Sequence, residues 1–359
     1  MKKILVIQQK MIGDVLAGTI VCEHLKIHFP ATEVHYLVDE HTTAVVDGNP
    51  FVDELVLFKK DYRKSKLLFY YFLKSIKKQH YDVTIDLLCK TESNIISWFS
   101  KAPIRISYPK WYSKFIYTHT YKHSQKKPSV LGMAIDNRLL LLQPLIHELK
   151  KPQIAPQLYL SDDEISTAKQ TLLNNKITGK KPLLMFGVLG SSESKTYPLP
   201  YMAHLLNQII EKYDLDCIIN YIPKQKPEVE QLLSRCTKKT REAINLNVFG
   251  GSLREFLALL SQCDAYFGNE GGASHMAKAL NKPNFSIFAP WISKNAWMTY
   301  QNNSSNRAVH LEDFHPDAIH FSSKKERKLK IPQNYQLFKP ELFEEKLFEF
   351  FNDEVISHQ

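Results

Sequence analysis

The residues best suited to chemistry lie between Asp264 and Pro290, DAYFGNEGGASHMAKALNKPNFSIFAP. Ala265-Tyr266-Phe267 is strand-like, and Gly268-Asn269-Glu270-Gly271-Gly272 forms a turn that draws on glycine's backbone freedom. Ala273 to Asn281 spaces Met276, Ala279 and Leu280 as on a helix, and Asn284 to Ala289 is a second strand. A strand, a glycine turn and a helix N-terminus gather unpaired N–H groups at the positive end of the helix dipole, which suits an anion such as phosphate. Glu270 can accept hydrogen bonds from sugar or ribose hydroxyls, and His275 lies in the first helical turn, facing the same mouth. On geometry alone the same residues also fit a plain strand-to-helix turn, with Glu270 as a surface charge.

Asp14 follows Gly13 after the first strand, where it can serve simply as the N-cap of the next helix. Lys195 stands in a Gly/Ser loop, where a lone lysine ordinarily faces solvent. Asp214-Leu215-Asp216 has the letters of a DxD metal motif but precedes a strand, so it reads as a helix-to-strand turn. No His or carboxylate cluster has metal-ligand spacing, and the five cysteines form no CxxC pair, so neither a metal site nor a disulfide framework is expected.

The elements that must position these residues alternate. In the first half, strands over Lys2–Gln8, Glu33–Val38, Asp53–Phe58 and Tyr81–Asp86 are separated by helices from Asp14 to about Phe29, His41 to Val46 and Lys64 to Lys78. In the second half, strands over Pro182–Val188, Asp216–Tyr221, Ile244–Phe249 and the two around Glu270 alternate with helices over Pro198–Tyr213, Pro227–Cys236 and Ser252–Cys263. Such alternation gives a doubly wound parallel α/β sheet that binds ligands at the carboxyl ends of its strands. A chain of 359 residues with 44% hydrophobic and 23% charged residues suits two such domains. The boundary falls in the linker Lys151–Pro156, after a helix piece over Leu139–Ile146 and before a capping box at Ser161-Asp162-Asp163-Glu164.

No apolar run approaches the roughly 20 residues that cross a bilayer. The opening MKKILVIQQK is cut short by Gln8, Gln9 and Lys10 and reads as a strand, not a signal, so a cytoplasmic location is expected. The net charge of +10 favours an anionic partner. From Ser93 to Ile135 there is no acidic residue, and Lys101, Arg105, Lys110, Lys114, Lys122, Lys126 and Lys127 interleave with Tyr108, Trp111, Tyr112, Phe115, Tyr117 and Tyr121. This is either an irregular solvated segment or a docking surface for an acidic amphiphile at a membrane face. Single-stranded nucleic acid suits the composition, but no nucleic-acid signature accompanies it, so no nucleic-acid partner is expected.

The order Asn269-Glu270-Gly271-Gly272-Ala273-Ser274-His275, with Ala277, Ala279 and Pro283 following, resembles the donor signature of glycosyltransferase family 9, the heptosyltransferases of lipopolysaccharide core synthesis. In that signature Asp usually stands where Glu270 does, Thr where Gly271 does and Pro where Ala273 does. Met11-Ile12-Gly13-Asp14 resembles the family's Leu-Gly-Asp motif, and Lys195 before Tyr197-Pro198 its Lys-x-aromatic-Pro segment.

The resemblance implies the GT-B architecture, two Rossmann-like domains facing across a cleft. These would be residues 1–155 for the acceptor and 156–335 for the donor, with a tail helix at 336–359 that packs back on the first domain. It implies an inverting, metal-independent transfer of a sugar such as heptose, from a nucleotide-sugar such as ADP-heptose to a lipopolysaccharide-type glycolipid, at the cytoplasmic face of the inner membrane. No cofactor is implied, the nucleotide-sugar being substrate. Asp14 would be the general base and Lys195 would neutralise the departing diphosphate. Gly13, Gly187, Ser191, Ser192, Thr196, Gln225, Gly251, Glu270, Gly271, Gly272, Ala273 and His275 would bind the donor, and Lys101, Arg105, Lys110, Trp111 and Lys114 the anionic acceptor. Two alternatives stay open. One is a non-catalytic protein of the same fold that binds nucleotide-sugar or glycolipid. The other is an enzyme of another class, a nucleotide-sugar epimerase or an oxidoreductase, the latter opposed by the lack of GxGxxG after the first strand.

Overall fold

The computed structural model describes residues 1–124, 129–150, 155–299 and 305–357. Lys126, Lys127 and the 151–154 part of the expected linker lie outside these. The chain divides into two compact units, Met1–Tyr159 with Asn295–Tyr300, and Leu160–Lys294 with Gln301–Gln359.

In the first unit the order is β1 (Lys3–Ile7), α1 (Ile12–His28), β2 (Glu33–Asp39), β3 (Glu54–Phe58), α2 (Lys60–Lys64), α3 (Lys66–Lys78), β4 (Val83–Asp86), α4 (Thr91–Ser100), β5 (Ile104–Ser107), β6 (His119–Thr120) and α5 (Met133–Leu140). All six strands are parallel, in the order β3-β2-β1-β4-β5-β6. β1 reads as an unbroken apolar run because it is covered on both faces, and Ile4 to Ile7 are fully buried. The expected helix over His41–Val46 is a 3₁₀ turn, Glu40–Val45.

The described residues between Ser93 and Ile135 hold more regular structure than their composition suggests. β5, β6 and the helices α4 and α5 draw on it, and Tyr108 and Tyr117 are buried. The lysines that dominate its letters hide an Ile104-Arg105-Ile106-Ser107 alternation, which is strand periodicity.

In the second unit the order is α6 (Asp162–Asn174), β7 (Leu183–Gly187), α7 (Leu199–Lys212), β8 (Asp216–Ile219), α8 (Lys226–Ser234), α9 (Lys238–Ala243), α10 (Leu253–Ser261), β9 (Ala265–Asn269), α11 (Gly272–Ala279) and β10 (Asn284–Ile287). The short α12 (Lys294–Trp297) follows where the chain changes unit, then β11 (Asn306–Val309), α13 (Lys324–Leu337) and α14 (Glu344–Phe351). The five strands are parallel, in the order β11-β10-β9-β7-β8. Ser161 caps α6 in the expected box with Glu164.

The expected strand over Ile244–Phe249 is reduced to one parallel bridge, Ile244 to Cys217. Asn245 turns the chain there, its Oδ1 accepting the Asn247 N–H at 3.0 Å in competition with a ladder. That bridge still marks the place of an outer strand beside β8.

The tail also differs from expectation. Leu347, Phe350 and Phe351 of α14 are buried in the second unit, Phe350 5.6 Å from Phe285 and Phe351 stacked 5.4 Å from Tyr213. The segment that returns to the first unit is Asn295–Tyr300. An aromatic face of that size finds its match in the Phe267 and Phe285 side chains of β9 and β10.

Candidate functional site

In each sheet the strand order reverses between two neighbours, β1 and β4 in the first, β7 and β9 in the second, and the loops at their carboxyl ends carry the candidate residues. After β1 the chain reaches Met11, whose φ of 63° is left-handed for a non-glycine residue and which stands at the N-cap of α1. Gly13 and Asp14 therefore lie inside the first turn, and Asp14 is not the cap. Its Oδ1 accepts from Arg138 Nη2 at 2.5 Å, while Oδ2 has no hydrogen-bond partner among the described residues. Arg138, on α5, is buried and is itself held by the Ala134 carbonyl at 2.6 Å. The chain separation of 124 residues left this partner invisible in the sequence. At the end of β4, Asp86 is fully buried, and burial raises its carboxyl above the usual range. It accepts from the Leu88 and Cys89 N–H groups at 2.9 Å and from Tyr117 Oη at 2.5 Å, so it braces the loop.

In the second unit Asn269, at the end of β9, ties the two loops together. Its Oδ1 accepts from Tyr197 N at 2.7 Å and its Nδ2 donates to the Gly187 carbonyl at 3.1 Å. A side chain at Gly187 would strike Tyr266 Oη, the Cβ lying 1.8 Å from it, so packing alone accounts for glycine there. Within the loop, Thr196 Oγ1 accepts from Gly190 N and donates to the Ser192 carbonyl, both at 3.0 Å. Gln225 reaches back from after β8, its Nε2 donating to the Gly190 carbonyl at 3.0 Å and its Oε1 accepting from Ile222 N at 3.2 Å. Thr196 and Gln225 therefore shape the loop, their polar atoms engaged within the protein. Gly251 sits apart, before α10, its N–H on Glu255 Oε2 at 2.8 Å.

Ser191 and Ser192 are exposed and Lys195 is half-buried. Lys195 forms no ion pair among the described residues, and its Nζ lies 5.5 Å from the centre of the Trp291 ring. Trp291 Nε1 and Tyr335 Oη both donate to the Ser194 carbonyl, at 2.8 and 3.1 Å. Trp291 was not anticipated, its one signal being an aromatic directly after Ala289-Pro290.

Gly271 caps α11 with φ 156° and ψ −162°, a conformation open to glycine, and no side chain caps this helix. Gly272 and Ala273 open its first turn, so their N–H groups belong to the orphan donors of a helix start. Glu270 is not a surface charge. Its side chain is 6% exposed, with Oε1 3.3 Å from His275 Nε2. Lys278, three residues beyond His275 on α11, was not anticipated. Lys278 is buried, and burial pushes its ammonium down to about 8 against the opposing pull of Glu270.

The proposed acceptor residues divide. Arg105 donates to the carbonyls of Ile116 and Ala102, and Lys110 to that of Cys89, so both hold the backbone in place. Lys101, Trp111 and Lys114 are exposed, Trp111 to 86%. A depression of about 640 Å³ lies at the opposite, amino ends of β7 and β8, lined in part by Lys181, Asp214 and Asp216. Lys181 and Asp214 pair at 2.5 Å there, and Asp216 begins β8 as the helix-to-strand reading requires. Among the described residues no group of three or more His, Cys, Asp or Glu is placed to hold a metal ion, and no helix is long and apolar enough to cross a membrane.

The profile described as glycosyltransferase family 9 (heptosyltransferase) matches residues 69–318. A lipopolysaccharide heptosyltransferase 1 from Campylobacter coli is 24% identical over 84% of this chain and 88% of its own. A lipooligosaccharide heptosyltransferase 2 from Haemophilus ducreyi is 23% identical over 78% and 81%. Among solved structures, a family 9 glycosyl transferase from Veillonella parvula superposes with a TM-score of 0.79 at 18% identity, over 99% of this chain and 98% of that one. The ADP-heptose lps heptosyltransferase II of E. coli gives 0.68 at 17%, over 94% and 99%. These share the GT-B fold of two Rossmann-like domains.

Proposed function

Because this chain belongs to glycosyltransferase family 9 and is therefore a glycosyltransferase, we propose that it transfers heptose from ADP-heptose to a hydroxyl of a lipopolysaccharide-type acceptor, with inversion and without a metal. The names of its relatives support heptose and this class of acceptor, and an E. coli heptosyltransferase whose structure is titled with ADP-2-deoxy-2-fluoro heptose, at TM-score 0.62, supports ADP as the nucleotide.

At the anomeric carbon the reaction makes one bond and breaks one. The acceptor oxygen attacks the anomeric carbon, its proton passes to Asp14 Oδ2, and the bond from the anomeric carbon to the diphosphate oxygen breaks. Arg138 positions Asp14 by holding the other oxygen. Charge growing on the diphosphate meets Lys195, the hydroxyls of Ser191 and Ser192, and the N–H groups opening α11. The reading includes peripheral contact with the cytoplasmic face of the inner membrane, where such an acceptor is assembled. The observation that carries it is Lys195, half-buried against Trp291 with no carboxylate partner among the described residues, in a loop that Asn269 fastens beside the start of α11, which no side chain caps.

A thermal-shift panel of ADP-, UDP-, GDP- and CMP-sugars tests the donor, and stabilisation confined to a UDP- or GDP-sugar would overturn ADP-heptose. For the chemistry, Asp14→Asn is expected to lower kcat by about 10²- to 10⁴-fold with donor KM little changed. Normal turnover in that variant would end the assignment of the base.

A further inference from the structure

We propose that the outward face of α3 is a membrane-docking surface that lies on an anionic lipid bilayer. The inference deepens the reading of a peripheral membrane enzyme and rests on it for its biological setting.

The inward face of α3 is conventional. Phe69, Phe72, Leu73 and Ile76 recur at i, i+3, i+4 and i+7, and they pack on Leu5, Ile7, Leu37 and Phe58 of the sheet. The opposite stripe, Leu67, Tyr71, Lys74 and Lys78 at i, i+4, i+7 and i+11, faces away from that core and is exposed. A solvated helix ordinarily fills such a stripe with charge and small polar groups. Here Leu67 is 60% exposed and Tyr71 56%, flanked by Leu68 and Tyr70 at 43% and 44%. Large apolar side chains therefore occupy the first half of the outer face, and Lys74, Lys77 and Lys78 the second.

Charge selects the occupant. From Tyr62 to Tyr81 there is no acidic residue; Arg63 is held by Asp39 and Glu92, while Lys64, Lys66, Lys74, Lys77 and Lys78 form no ion pair among the described residues. A second copy of this face would bring like charges together. Nucleic acid would satisfy the lysines but leave Leu67 and Leu68 against water. A bilayer bearing anionic headgroups satisfies both halves: leucine and tyrosine enter the headgroup boundary while lysine stems run along it and their ammonium groups meet phosphate. Lys74 already rests its Nζ 4.9 Å from the Tyr70 ring, a pairing that keeps the cation beside the interfacial aromatic. α4, which packs on α3 through Ile95 and Phe99, carries a second group of the same chemistry. Trp98 has Lys101 Nζ 4.6 Å from its ring and Phe115 edge-on at 6.0 Å.

The test is co-sedimentation of the full chain with vesicles of phosphatidylcholine alone and of phosphatidylcholine mixed with phosphatidylglycerol. The wild type is expected to bind the anionic vesicles, to release as salt is raised, and to ignore the neutral ones. The Leu67→Ser/Tyr71→Ser/Lys74→Glu/Lys78→Glu chain is expected to bind at least about tenfold more weakly, with its thermal midpoint unchanged, which shows that it folds. A Trp111→Ser/Phe115→Ser chain probes the other exposed aromatics and is expected to lose less. Three results would each overturn the proposal: no binding of the wild type to anionic vesicles, equal binding to neutral ones, or full binding by the four-residue variant. No sugar enters the vesicle measurement and the thermal midpoint alone reports folding, so its failure leaves the glycosyl-transfer reading standing, and failure of that reading leaves the vesicle result standing.

Discussion

A buried lysine one helical turn beyond His275 gives the glycine turn before α11 its own electrostatics. Lys278 titrates near 8 in the folded chain and at 10.5 as a free side chain. Between those values the unfolded chain holds the extra proton, so raising the pH through this window stabilises the fold. The contribution is present above 10.5 and is lost as the pH falls through about 8, so at neutral pH keeping the lysine charged costs on the order of 3 kcal/mol. Urea denaturation at about pH 8 and about pH 10 should therefore show the wild type gaining roughly 2 kcal/mol over Lys278→Met. A constant difference between the two would mean that Lys278 keeps its ordinary titration. Glu270→Gln removes the carboxylate that supports the buried ammonium and is expected to cost about 3 kcal/mol. A side chain legible in the sequence as a sugar contact or a surface charge thus belongs to the packing around α11.

At the scale of elements, what matters is how two loops at the ends of β7 and β9 are held in register. Asn269 bonds both the Gly187 carbonyl and the Tyr197 N–H, which no glycine or serine in the turn can reach. Asn269→Ala strands the buried Tyr197 N–H and frees the partly buried Gly187 carbonyl, so a loss of about 1–3 kcal/mol in urea stability is expected. Because the freed loop carries Lys195, donor KM should rise in the same variant. An unchanged KM would show that Lys195 is positioned by Trp291 alone. Alternating apolar runs were enough to find these elements, and the motif letters were enough to mark their turns. That Thr196 and Gln225 serve the loop's own hydrogen bonds was not legible, because a polar side chain's partner is chosen in space.

At the scale of the whole molecule the chain is two parallel α/β units whose described residues hold no metal-binding cluster and whose charge is strongly basic. Metal independence belongs to the proposed mechanism, in which Lys195 with the α11 N-terminus would carry the charge neutralisation instead. Dialysis against EDTA is expected to leave turnover within about twofold of the untreated enzyme. A loss restored by Mg²⁺ would show that a cation shares the diphosphate and would demote Lys195.

The sequence by itself determined what short-range pattern can determine: parallel strands written as apolar runs, the capping box at Ser161, the glycine turn before α11, and the motif letters that mark the family. These survive because each depends on neighbours within a few residues. Tertiary structure alone decided that Arg138 holds Asp14, that Asn269 locks the loop of Lys195, that Arg105 and Lys110 support backbone instead of facing a ligand, and that α14 lies on the second unit. Each of those outcomes turns on which distant groups remain unpaired once the core has closed, and burial, which sets the cost of leaving a charge or an N–H alone, exists only in the folded chain.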